Sequence, residues 1–332
     1  ADTYDTRVRI TITQKAMHTR RSLFWLTLIF LTSCTAVQMY AQPIGSWERI
    51  SHRSNFTLWD VAFTDSLHGV AVGDYGAILR TTDGGESWEQ QLSGDQLAFR
   101  QLHFFNDSCG IAAGFHGTCF RTEDAGASWS KVPLGTIADL PGMAAYGDNV
   151  WLSGADGILL KSTDRGRSFT KIDSPTDAML GSISFATERV GWVASVQRKL
   201  YRTVDGGATW SEQKFDSFMP VTTVHARSAT ECWLGGYHGL LLRSIDGGAS
   251  WQKIRSYDTD YFAMTFDDRG IGWAVGKRGA VVRGETGNLT WRLHDLTASK
   301  ALYGIALLPN NQAIVVGDYG AIYKLREVYH AS

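Results

Sequence analysis

The sequence predicts an all-β protein: a seven-bladed β-propeller of four-stranded antiparallel blades, its ring closed by the N-terminal strand pairing with the last blade. Three observations predict it. The octet Thr81-Thr82-Asp83-Gly84-Gly85-Glu86-Ser87-Trp88 recurs with its aspartates at 83, 124, 164, 205 and 246, in steps of 40 or 41 residues. A Gly-x-x-Gly turn recurs at the same period from Gly73 to Gly320. Strand-length apolar runs fill the intervals. A fixed period near 40 with short strands is the mark of propeller blades.

The octet reads as a hairpin turn. Asp83, Asp124, Asp164, Asp205 and Asp246 are structural: each carboxylate can accept hydrogen bonds from backbone amides a residue or two ahead. Glycine supplies positive φ. The small hydroxyl before the aromatic can satisfy another turn amide, and the aromatic starts the next strand and is buried between blades. A calcium loop would offer several oxygen ligands at alternating positions, whereas here one carboxylate is followed by glycine, so no metal or cofactor is expected. The pattern resembles the Asp-box, or bacterial neuraminidase repeat, and the resemblance runs from Trp47 to Leu325.

At the N-terminus, residues 1–16 precede Met17 and read as a leader outside the fold. Residues 17–41 read as an export signal. His18, Arg20 and Arg21 are its basic end, and residues 23–31 are its apolar core, too short to span a membrane. Leu31-Thr32-Ser33-Cys34 resembles a lipobox, making Cys34 a candidate for lipidation; the alternative is ordinary cleavage near Ala36 or Ala41. Arg20-Arg21 resembles a twin-arginine signal only in that pair. Either route places the mature protein outside the cytoplasm, in the periplasm, anchored to the outer membrane or secreted. Cys109, Cys119 and Cys232 do not repeat with the blades and read as small packed side chains.

Residues 47–326 form the propeller. Trp47-Glu48-Arg49-Ile50 is an outer strand with no blade before it. The first full unit runs through Leu58 to Phe63 (inner strand), Gly69 to Gly73, Ala77 to Arg80 and Trp88 to Gln91. The turn between second and third strands returns at Gly114, Gly154, Gly236, Gly276 and Gly317. Unit four replaces it with Ser195-Val196-Gln197-Arg198. Unit six has a worn box ending at Trp291. Unit seven has three strands and no box, so Trp47 supplies its fourth, and closure removes the free sheet edges.

In four-stranded blades the boxes share one face, and the Gly-x-x-Gly turns share the other with the links between blades. Function on a rigid scaffold concentrates in such loops. The tips on that second face form a ring of candidate partner-binding residues. One arc is acidic and aromatic: Asp74, Tyr75, Asp156, Asp318 and Tyr319. The opposite arc is basic: Arg198, Lys199, Tyr237, His238, Lys277 and Arg278. Phe115 and His116 complete it. The bland alternative is a set of solvated polar turns.

Formal net charge is −1, which gives no global case for nucleic acid. A glycosidase needs two placed carboxylates, or a tyrosine nucleophile with a carboxylate partner. Asp60, Asp74 and Asp156 could be cast in that role, but nothing isolates a pair. A sialidase resembles a six-bladed ring with an arginine cluster and an Arg-Ile-Pro segment, whereas this chain has seven units and no such segment. No nucleophile elbow or phosphate loop occurs, and His103 and His225 read as core or channel histidines. No catalytic residue is assigned.

Val70 through Trp88, Gly191-Trp192-Val193 and Gly272-Trp273-Ala274-Val275-Gly276 resemble units of the photosystem II stability/assembly factor family. That resemblance implies an exported, non-enzymatic scaffold that binds a protein, such as a membrane-protein assembly intermediate, with membrane contact only through a lipid anchor. The alternative is a sialidase-like glycoside hydrolase or a glycan-binding module working at the channel mouth.

Overall fold

A computed structural model describes residues 45–92, 96–294, 296, 298–309 and 312–326. The leader, the export signal and Cys34 lie outside the described residues. From Ser46 to Arg326 the chain forms seven four-stranded antiparallel sheets. Blade one comprises Leu58–Phe63, Gly69–Gly73, Ala77–Thr81 and Glu89–Leu92, numbered here from the inner strand outward. The inner strands of blades two to seven begin at Phe99, Gly142, Leu180, Val221, Tyr261 and Leu302. Blade seven takes Ser46–Arg49 as its outer strand, with Trp47 opposite Leu325. The ring therefore closes as the sequence predicts.

The second strands are largely apolar because a neighbouring blade covers each side. Gly69–Gly73 and Gly110–Gly114 are buried throughout, as a continuous apolar run bounded by turns requires. Outer strands such as Ser130–Lys131 are exposed. Each adjacent pair of blades shares its own apolar cluster. Trp88 sits in the cluster between blades one and seven, so the box aromatics are wedges between blades. Cys119 and Cys232 are fully buried within two of these clusters.

The box works differently in detail from the sequence expectation. The carboxylate reaches amides three and four residues ahead, because the turn folds back on itself. Asp164 accepts from the Arg167 and Ser168 amides at 2.9 and 3.0 Å. The hydroxyl before the aromatic donates to the carboxylate, Ser128 Oγ to Asp124 at 2.5 Å. The turn amide is satisfied by the first hydroxyl of the box instead: the Gly126 amide donates to Thr122 Oγ1 at 2.9 Å, and that hydroxyl donates to Asp124 at 2.8 Å. The Thr209 and Ser250 hydroxyls, followed by backbone amides, hold Asp205 and Asp246 down at about 2.

Thr122 is buried, so Thr122→Val strands the Gly126 amide and takes one of the donors from Asp124 Oδ1, which keeps the Ser128 amide. An unfolding free energy lower by about 1–3 kcal/mol in urea titration is the expected result. Ser128→Ala, at an exposed hydroxyl, should cost less. Equal losses would contradict this division of labour.

A second repeat was not recognised in the sequence although it has the same period. Arg80, Arg121, Lys161, Arg202, Arg243, Arg283 and Lys324 recur in steps of 40 or 41 on the third strands. Four of these cations lie over second-strand tryptophans: Lys161, Arg202, Arg243 and Arg283, at 5.2 to 5.4 Å from the ring centroids. Several also reach into the next blade. Arg80 and Arg121 donate to the Ala125 and Arg165 carbonyls at 3.3 and 3.0 Å, and Lys161 to Gly206 at 3.0 Å. Each acceptor is the residue after a box aspartate.

That residue is a rivet. It has positive φ even where it is not glycine, at 58° for both Ala125 and Arg165. Its amide donates to the inner hairpin of its own blade, as Ala125 does to Ser108 at 2.8 Å. Its carbonyl takes the cation of the blade before. Blade six has lost its box, and Arg243 turns onto its own blade, pairing with Glu231 at 2.9 Å.

Candidate partner-binding face and channel mouth

Each inner strand is preceded by a link from the blade before, and each link is tied to a Gly-x-x-Gly turn. The first tip amide donates to the link carbonyl: Asp74 to Thr57, Phe115 to Ala98, Lys277 to Asp260 and Asp318 to Ala301, at 2.9 to 3.0 Å. Blade four keeps this bond from Val196 to Met179 at 3.1 Å without the glycine. The first glycine of the turn is extended rather than left-handed, at φ −173° for Gly114. It is glycine because the link carbonyl sits against it: a Cβ on Gly114 would stand 2.0 Å from the Ala98 oxygen.

The second tip residue is left-handed and exposed in six blades: Tyr75, His116, Asp156, His238, Arg278 and Tyr319, with φ of 53 to 56°. In blade four the left-handed residue is Arg198, with φ of 64°, which is exposed and stands where the other turns have their second glycine. Side chains other than glycine adopt this region at a cost, so the turns are held from outside themselves. Tyr75 and Tyr319 are 62% and 64% exposed. Ile137 and Phe218, on links of the same face, are 85% and 83% exposed.

The sequence-predicted ring thus separates into two sets. First tip residues lean toward the mouth. Asp74 accepts from Trp59 Nε1 at 2.6 Å. Phe115 lies 5.1 Å from the Arg100 guanidinium. Tyr237 lines the central cavity. Asp318 accepts from the Ala301 amide at 3.3 Å. The basic arc is partly neutralised by acids not singled out in the sequence. Lys277 pairs with Asp260 at 2.9 Å. Lys199 is the first residue of a third strand rather than a tip, and pairs with Glu212 at 3.0 Å. His116 Nδ1 lies 3.5 Å from Asp139. Arg198 donates to the Phe218 carbonyl at 3.2 Å.

Behind the tips a cavity of about 740 Å³ occupies the channel. Asp60 is the only carboxylate among the described residues lining it. Burial pushes Asp60 up to about 7, against hydrogen bonds from the Leu102 and Val61 amides at 2.9 and 2.8 Å. Asp74 is engaged by Trp59 and Asp156 is an exposed tip, so neither joins Asp60 in the cavity wall. Burial brings His103 and His225 down to about 4, which keeps both rings neutral. Arg100, Trp59 and Tyr303 at the mouth were not anticipated. Trp59 and Tyr303 stand one residue into their inner strands and Arg100 does the same in blade two, which is the only signal the sequence carried.

The sequence profile described as photosynthesis system II assembly factor YCF48 matches residues 40–147 and 169–259, well over half of the chain. The photosystem II assembly lipoprotein Ycf48 of Synechococcus sp. (strain CC9902) is 25% identical over 191 residues, 56% of this chain and 46% of that protein. Its counterpart in Synechocystis sp. is 42% identical over 65 residues, 19% of this chain and 18% of that protein. The chain thus aligns with less than half the length of either relative. The structure titled YCF48 bound to D1 peptide superposes with a TM-score of 0.72 at 19% identity, covering 87% of this chain and 97% of that one. YCF48 from Cyanidioschyzon merolae gives 0.69 at 18% identity, covering 85% and 98%. The GH74 xyloglucanase from Xanthomonas campestris gives 0.68 at 16%, covering 87% of this chain and 55% of that one, so these likenesses show the fold alone. Seven blades, their boxes and the extent of the profile match together place this chain in the photosynthesis system II assembly factor YCF48 family.

Proposed function

We propose that this protein is an extracytoplasmic, non-enzymatic scaffold that docks a protein partner, a membrane-protein assembly intermediate, on its Gly-x-x-Gly face. The observation that carries the reading is the ring of seven turns, each presenting an exposed left-handed residue and each tied to a link carbonyl. A surface organised before contact loses little freedom on binding, and tyrosine and arginine are favoured anchors of protein interfaces. Family membership supports it, as does a structural neighbour whose title names a bound peptide. Relatives named lipoproteins support lipidation at Cys34.

The test is affinity capture of the tagged mature protein from detergent-solubilised envelope membranes of its host, with mass spectrometry. A stoichiometric membrane protein is expected. Lys199 and Lys277 are ion-paired, so the variant of choice is Arg198→Glu with Arg278→Glu. It should weaken capture at least about tenfold, as loss of interface anchors does, with the melting temperature unchanged. Capture undiminished by this variant would remove the face from the interface.

A further inference from the structure

The channel mouth holds a cation that makes no direct ion pair among the described residues, although Asp74 acts on it through charge. The Arg100 guanidinium lies flat against Trp59, its carbon 3.3 Å from the ring centroid, with Phe115 5.1 Å away. Stacking engages the faces of the guanidinium and leaves its N–H groups at the edge to find acceptors. None is present: Nε is buried without a hydrogen-bond partner, and among the described residues no carboxylate pairs with the group. Asp74, the nearest acid in charge terms, has Oδ1 occupied by Trp59 Nε1 at 2.6 Å. Burial lowers Arg100 to about 10, which leaves it charged at neutral pH. A desolvated charge without a partner is costly, so a site of this kind is completed by an anion.

The surroundings narrow the anion. Arg100 borders the cavity whose wall includes Met143, Met179, Ile183, Phe262, Met264 and Ile305. Tyr303 stands 4.2 Å from Trp59, and Phe262 5.2 Å from Tyr303, forming an aromatic side to the mouth. Asp60, Asp74 and Asp318 lie nearby, and one guanidinium against three acids suits a monoanion better than a phosphate dianion. The shape of the planar fork matches a carboxylate held by two parallel hydrogen bonds.

We propose that the channel mouth is a binding site for an organic carboxylate with an apolar body, its carboxylate on Arg100 and its body against the methionine and aromatic wall. Such a group comes from a polypeptide C-terminus or from a small free acid. The site borders the docking ring through Asp74, Phe115 and Tyr237, but its test needs no partner protein, so either idea can fail without the other.

Isothermal titration calorimetry on the full chain separates the outcomes. The probes are N-acetyl-leucyl-phenylalanine, its C-terminal amide, and phenylpropionate. The peptide acid should bind at least about tenfold tighter than the amide, the ratio expected of a charge-assisted bidentate pair. Arg100→Gln should bring the acid to the level of the amide, and Arg100→Lys should retain part of the preference. Phenylpropionate binding as tightly as the peptide acid identifies a small acid as ligand; much weaker binding identifies a chain terminus. Both uphold the carboxylate site. Acid and amide binding alike to the unaltered protein, or neither binding, would overturn it without recourse to a variant.

Discussion

Removing Ser46–Ile50 should lower the melting temperature by about 10 °C or more, the shift that about 5 kcal/mol produces in a protein of this size. The segment pairs with the third strand of blade seven over four residues, Trp47 opposite Leu325. Trp47 also wedges between blades: its ring stands 6.2 Å from Trp273, and Nε1 donates to His294 at 2.9 Å. Ile50 is buried. Trp47 is half-buried, so its loss costs part of the about 3–5 kcal/mol that truncating a fully buried tryptophan costs. Loss of the strand also frees the edge of Ala321–Arg326 for pairing with another chain, so aggregation should accompany the lower midpoint.

Two side chains of the third strand also tie blade seven to blade one, and one of them, Arg326, holds the closing strand as well through Glu48 at 2.7 Å. Lys324 is buried and donates to the Gly84 carbonyl at 2.8 Å and to Glu86 at 2.7 Å. Arg326 grips Glu86 through two bonds of 2.5 Å. Lys324→Met removes both bonds of the first and leaves the second, and should cost about 3 kcal/mol, the scale of two hydrogen bonds from a charged group. Differential scanning calorimetry would rank the two. A truncated protein that melts with the full chain would show that the ring is not held by its closing strand.

Gly114→Ala is the second large effect. The backbone there suits any residue, so the cost arises from contact alone. The new methyl would overlap the Ala98 oxygen at 2.0 Å and lie 2.8 Å from Phe99 Cα. Backbone cannot swing aside as a long side chain can, and overpacking of this kind costs about 3 kcal/mol. The displaced link carries the Phe115 amide bond with it, so the mouth should loosen and carboxylate binding weaken together. Gly287→Ala is the matched control: nothing lies within 4 Å of its Cβ position, and a surface change of this kind stays within about 0.5 kcal/mol. Denaturant midpoints of the pair decide it; comparable losses would mean that the close approach is not what requires glycine.

The sequence by itself determined the blade count, the strand order and the closure, because each is written in short-range chemistry repeated at a fixed period. An aspartate, a glycine and a hydroxyl within eight residues specify a turn wherever they occur. Apolar runs between turns specify strands covered on both sides. The unpaired strand at Trp47 and the missing fourth strand of blade seven then leave one way to close.

Only the tertiary structure decided the rest, because those roles depend on groups far along the chain. The cations from Arg80 to Lys324 keep the blade period in plain view, yet their acceptors belong to the next blade, 44 or 45 residues away for Arg121, Arg80 and Lys161. The first glycine of each turn looked like a turn residue and is instead a clearance for a link carbonyl. Lys199 and Lys277 looked free until Glu212 and Asp260 were brought beside them. Arg100 shares its strand position with Trp59 and Tyr303, and that position is all the sequence shows of it. Its exposure to the mouth, its stack on Trp59 and its lack of an acceptor arise only when the inner strands of neighbouring blades converge on one axis.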